Sequence, residues 1–98
     1  MISLKYEISK NLALRSSAQR LFVKINNEST QDVEVDFSDI MTISRSFASE
    51  YIANKKNTSK TIHEINLPLN VKKMFDIVNR NNPKTRLVQT EIIYPIRL

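Results

Sequence analysis

At 98 residues the chain has room for one domain with a single core and little space for a buried cofactor. With 41% hydrophobic and 26% charged residues it has the composition of a folded domain, and its net charge of +5 permits attraction to nucleic acid, acidic proteins or anionic membranes. The absence of Cys excludes disulfides and thiolate metal sites, a single His leaves little for a zinc site or a Ser-His pair, and the absence of Gly excludes glycine-rich phosphate loops.

In chain order, Ile2, Leu4, Tyr6 and Ile8 alternate with Ser3, Lys5, Glu7 and Ser9, the period of a half-buried or edge strand. Leu14, Ala18, Leu21, Phe22 and Ile25 recur at helical spacing and predict a helix over residues 12–26. A polar connector leads to a second strand over residues 33–37. The polar turn after it opens a short helix with the apolar face Phe47, Ala48, Tyr51 and Ile52 and with Ser44 or Ser46 as N-cap. Residues 61–66 form the third strand, Pro68 sits where a first helical turn tolerates a missing N–H, and Val71, Met74, Phe75 and Val78 follow helical spacing up to Asn81-Asn82-Pro83. Residues 85–96 are again β-like, with Val88, Thr90, Ile92 and Tyr94 on one face.

The order is βαβαβαβ, an α/β fold with a mostly parallel four-stranded sheet, helices packed on it and right-handed crossovers. Val33, Val35 and Phe37 belong near the centre of that sheet, facing Leu21, Phe22, Phe47, Tyr51 and Phe75. Without Gly, left-handed backbone positions fall to Asn or Asp, and Asn26, Asn27, Asn54, Asn57, Asn81 and Asn82 are the expected stand-ins at helix ends.

The segment from Val33 to Ile52 is the candidate working surface, because ligands and partners dock where free N–H groups at a strand's carboxyl end meet a helix N-terminus. Ser38, Asp39, Thr42, Ser44, Arg45 and Ser46 are its candidate contact residues. Glu34 and Asp36 share one strand face while Asp39 sits in the turn, so at most two carboxylates converge and no metal site is expected. Asp36 and Ser38 are better read as acceptors for turn amides. Arg15 can fork to a carboxylate, Glu50 or Asp36, as a structural ion pair. His63 reads as a packed or surface side chain. No nucleophile-base pair can be assembled, so no enzyme activity and no cofactor are expected.

These residues carry a resemblance. Val33-Glu34-Val35-Asp36-Phe37-Ser38-Asp39-Ile40 followed by Ile43-Ser44-Arg45-Ser46-Phe47-Ala48 resembles the central motif of STAS domains, the fold of bacterial anti-sigma factor antagonists. Ile62-His63-Glu64-Ile65-Asn66-Leu67 leading into Val71-Lys72-Lys73-Met74-Phe75 is similar to their next strand and helix. The match is nearest to a small STAS-like family of unknown function, through Arg15-Ser16-Ser17-Ala18 and Ser46-Phe47-Ala48-Ser49-Glu50. It covers residues 12–78 and implies one STAS-like domain over residues 1–98. The antagonists continue with Asp-Ser-Ser-Gly, whose first Ser is phosphorylated; here the four positions read Ser44-Arg45-Ser46-Phe47, so Arg45 stands at the phosphoacceptor position. Ser44 and Ser46 flank it as candidate phosphorylation sites, and both are read first as helix caps.

The resemblance implies a non-enzymatic regulatory module of a bacterial cytoplasm that docks a protein partner, often a histidine-kinase-like ATPase, through this turn. The alternative is a small basic domain that binds nucleic acid or an acidic protein through Arg15, Arg20, Lys24, Arg45, Lys55, Lys56 and Lys60. No apolar run is long enough to span a bilayer, and the amino terminus lacks the order of a signal peptide, so no membrane partner is expected.

Overall fold

The computed structural model describes residues 1–80, whose elements run β1 (Ile2–Ser3), α1 (Leu4–Glu7), β2 (Asn11–Leu12), α2 (Arg15–Asn26), β3 (Asp32–Asp36), β4 (Thr42–Ile43), α3 (Arg45–Asn57), β5 (Thr61–Ile65) and α4 (Leu69–Arg80). β1, β3 and β5 form a parallel sheet with β3 in the middle, and β2 and β4 form a separate parallel pair. The register sets Ile2 beside Val35, Val33 beside Ile62 and Val35 beside Glu64, so these side chains share one face. That face meets α2, α3 and α4, whose Leu21, Phe22, Phe47, Tyr51, Val71 and Phe75 join Val33, Val35 and Phe37 in one buried cluster. The opposite face of β3 and β5 carries Asp32, Glu34, Thr61 and His63, all exposed. Parallel sheets are usually covered on both faces; the apolar-polar alternation of Asp32-Val33-Glu34-Val35-Asp36 fits cover on one.

The single four-stranded sheet is corrected to three strands plus two among the described residues. The expected strand over residues 85–96 and the helix end at Asn81-Asn82-Pro83 lie outside them. At the amino terminus only Ile2 and Ser3 pair, and the chain then makes a helical turn in which Leu4 O accepts from both Ile8 N and Ser9 N at 2.9 Å. Leu4 and Ile8 are four residues apart, so the turn brings both to the core while Tyr6 stays 80% exposed. The alternation of Ile2, Leu4, Tyr6 and Ile8 suits either period; burial of Leu4 with Ile8 but without Tyr6 selects the helix. The turn also frees Leu12 to pair with Ile43 and bury completely in β2, so α2 starts at Arg15 and Leu14, its N-cap, is exposed.

Among the described residues the left-handed positions are Asp39 (φ 61°) and Asn66 (φ 57°), both in turns, where Asn and Asp tolerate them best. Asn27 instead ends α2 with right-handed geometry, its N–H returning to Val23 O, and α3 ends on an extended Thr58, so neither helix uses a left-handed cap.

Candidate functional site

The connection from β3 to α3 is built from the strand end outward. Asp36 closes β3, and its Oδ1 accepts the Ser38 N–H (2.9 Å) and Asn66 Nδ2 (3.0 Å), while Oδ2 accepts Ser38 Oγ (3.1 Å). Asn66 follows β5, so this carboxylate ties the carboxyl ends of two neighbouring strands. Phe37 continues the seam, its N–H bonding Ile65 O at 3.0 Å. The bonds from Asn66 and Ser38 hold the Asp36 carboxyl below the usual carboxylate range. At Asp39 the chain turns through its left-handed residue, and the carboxylate meets Lys5 Nζ at 2.6 Å, which anchors α1 against the turn. That bond lowers the Asp39 carboxyl and raises the Lys5 ammonium relative to their ordinary values.

A group with a lowered folded-state pKa stabilises the fold above its ordinary pKa, and the contribution is lost as pH falls through the lowered value. Asp36 and Asp39 therefore hold the turn at neutral pH and release it below the ordinary Asp range, about pH 4. In an NMR pH titration the Ser38 amide should shift with a midpoint below that of an unperturbed Asp, and Asn66→Ala should move the midpoint upward. An unchanged midpoint in Asn66→Ala would contradict the bonding scheme.

Farther along, Met41 N and Thr42 N both point to Lys10 O, Thr42 Oγ1 donates to Asn11 Oδ1 (3.0 Å), and Ser44 N donates to Leu12 O (2.8 Å). Ser44 is the N-cap of α3: its Oγ accepts the Phe47 N–H (3.1 Å) and donates to Ala13 O (2.7 Å). Ser38, Asp39, Thr42 and Ser44 thus spend their polar groups shaping the connection. Arg45 and Ser46 follow on the exposed first turn of α3.

Arg15 Nη1 lies 3.7 Å from Glu50 Oε1, and Glu50 Oε2 also accepts Asn54 Nδ2 at 3.0 Å. Asp36, the other acid considered for Arg15, is engaged by Ser38 and Asn66 instead. With Arg15 more than half exposed, this link between α2 and α3 contributes little to stability.

Sequence patterning did not reveal the apolar part of the surface. Met41 is 66% exposed at the tip of the turn; Asn70 Nδ2 donates to its carbonyl (3.0 Å) and brings the start of α4, with Leu69 also 66% exposed, alongside. On the other flank, Lys5 Nζ lies 5.1 Å from the centre of the exposed Tyr6 ring while it holds Asp39. A lone exposed apolar residue is ordinary; here three stand around one turn, Leu69 beside the Asn70 that bonds Met41 and Tyr6 beside the Lys5 that holds Asp39. No signal for it stands in the sequence: Met41 follows the apolar Ile40, and only the structure buries Ile40 and leaves Met41 exposed.

The basic residues of the alternative reading are dispersed and partly used. Lys60 Nζ binds Glu28 O and Thr30 O, Lys55 binds Glu64, Lys24 approaches Glu7 at 3.6 Å, and Arg15 faces Glu50. His63 Nε2 pairs with Asp32 Oδ1 (2.9 Å) on the exposed sheet face. Among the described residues no group of three His, Asp or Glu side chains is placed to hold a metal ion. No described helix is long and apolar enough to cross a membrane.

A family model described as STAS-like domain of unknown function (DUF4325) matches residues 17–83. The chain belongs to this STAS-like family. The match runs from the first turn of α2 past the end of α4, so it contains the β3–α3 connection with Asp36, Ser44 and Asn66, and leaves out β1, α1 and β2. Lys5 and Tyr6, which flank the turn of this STAS-like domain, thus come from outside the matched region. No curated protein and no solved structure matches the chain.

Proposed function

We propose that this STAS-like domain is a non-enzymatic regulatory module of a bacterial cytoplasm that docks a protein partner at the β3–α3 connection. The observation that carries the reading is the exposed trio Tyr6, Met41 and Leu69 around a turn whose polar groups are already bonded within the chain. A preformed turn loses little conformational freedom on binding, and a central apolar anchor with a charged rim residue is the usual anatomy of a protein interface. Met41 is the anchor, and Arg45 supplies the charge at the rim. A histidine-kinase-like ATPase is the partner class that resemblance to anti-sigma factor antagonists favours.

Affinity purification from the native cell with wild type, Met41→Asp and Arg45→Glu tests it. Both residues are exposed, so each substitution should change stability by less than about 0.5 kcal/mol. We expect Met41→Asp to abolish recovery of the partner and Arg45→Glu to weaken it, with binding that survives moderate salt. Equal recovery by all three proteins would place the partner surface elsewhere. Binding that falls steeply with salt would favour nucleic acid instead.

A further inference from the structure

Toward the other end of α3, a cleft of about 520 Å³ opens between that helix, β5 and α4. Its size is that of a small-molecule site. Ile52, Leu67 and Phe75 give it an apolar floor, and beneath it the fully buried Tyr51 ring stacks on Phe75 with centroids 5.0 Å apart and planes 13° from parallel. Glu64 also lines it, but its carboxylate is engaged: Oε2 accepts the Tyr51 hydroxyl at 2.5 Å and Lys55 Nζ at 2.9 Å. One acid and one base thereby cancel within the wall. The charged groups that remain on the rim are Lys56 from the last turn of α3 and Lys72 with Asp76 from α4, all exposed, with the neutral Asn79 beside them. Neither Lys56 nor Lys72 has a carboxylate within ion-pair distance among the described residues.

Lysine near the end of α3 has an ordinary explanation in the helix dipole. That accounts for Lys56 on its helix, but not for a second lysine that lines the same cleft from the first turns of α4. An apolar base with two cationic ammonium groups against one carboxylate suits a ligand with an apolar body and an anionic head, and repels a cationic one. We propose that this cleft binds a small organic anion with an apolar tail, the tail lying on Ile52, Leu67 and Phe75 and the head meeting Lys56 and Lys72. The site is separate from the β3–α3 connection, so it stands or falls independently of the docking reading.

Calorimetric titration of the full chain with decanoate tests it, with decyltrimethylammonium as the same tail under the opposite charge and acetate as the head without the tail. We expect decanoate to bind with a Kd of about 1 mM or tighter, and the other two at least about tenfold more weakly. The double reversal Lys56→Glu with Lys72→Glu should weaken decanoate at least about tenfold in a protein that still unfolds cooperatively above the assay temperature, and Asp76→Asn should tighten it a few-fold. These rim residues are exposed, so the variants should fold. Chemical-shift changes on decanoate addition should centre on the amides of Lys56, Lys72 and Phe75. The proposal is overturned if decanoate does not bind, if the cationic ligand binds as well, or if the double reversal folds and binds unchanged. A dimer that buries the cleft and persists in excess decanoate would also overturn it, by making a second copy the occupant.

Discussion

Tyr51→Ala should destabilise the domain by about 3–5 kcal/mol, the range for deleting a buried aromatic ring. Tyr51 is fully buried at the point where the elements meet. Its ring centre lies 5.4 Å from that of Phe22 on α2, 5.9 Å from Phe37 after β3, 6.2 Å from Phe47 on its own helix and 5.0 Å from Phe75 on α4. The cavity left by alanine would be walled by rings belonging to three helices and the sheet, which cannot all move inward without breaking other contacts. Domains of this size are stable by about 5–15 kcal/mol in total, so the urea midpoint should fall by a large fraction.

Tyr51→Phe separates packing from polarity. It keeps the ring and deletes only the hydroxyl that donates to Glu64 Oε2, while Lys55 remains as a partner for that carboxylate. Burial, then the charge and the hydrogen bond of Glu64, push the phenol far above its ordinary pKa, so the hydroxyl is a permanent donor. Its loss should cost about 1–2 kcal/mol, clearly less than alanine. If urea unfolding followed by circular dichroism gave the two variants equal costs, the ring cluster would not be the centre of the core.

Ser44→Ala should cost about 1–2 kcal/mol, and Ser46→Ala less than about 0.5 kcal/mol. The two serines are near neighbours in sequence and differ in what they touch. Ser44 Oγ satisfies the Phe47 N–H at the start of α3 and simultaneously donates to Ala13 O, pinning the segment after β2 to the helix. Alanine leaves both groups without that partner. Ser46 is an exposed residue of the first turn. The same geometry bears on modification: a phosphoryl group on Ser44 Oγ would remove the hydrogen that goes to Ala13 O, whereas one on Ser46 would stand in solvent near the helix N-terminus. Thermal melts of the two alanine variants measure the difference directly, and equal Tm values would remove Ser44 from its role as cap.

The parts of the molecule readable from the chain are those in which one element carries its own signal over several turns or residues. The stripe Ala18, Leu21, Phe22 and Ile25, the face Phe47, Ala48, Tyr51 and Ile52, and Val71 with Phe75 are all buried on helices where helical spacing put them. Val33 and Val35 are buried on the central strand, and the STAS-like motif around Asp36 and Ser44 sits within the matched family region. β2 and β4 were not readable, because two residues are too few to show a period, and their pairing joins positions 31 apart.

What the sequence determined by itself was thus the fold class, the helical faces, the central strand and the family, since each rests on local periodicity or a contiguous motif. Tertiary structure alone decided that residues 4–7 coil rather than extend, since the core takes Leu4 and Ile8 and leaves Tyr6 outside. It also decided that Asn66 takes a left-handed turn and bonds Asp36, while the Asn residues at the ends of α2 and α3 do not. The exposed Tyr6, Met41 and Leu69 around the turn and the cleft of Lys56 and Lys72 have the same origin. Each joins residues from elements distant in the chain, and only packing of the sheet against its helices sets such groups side by side.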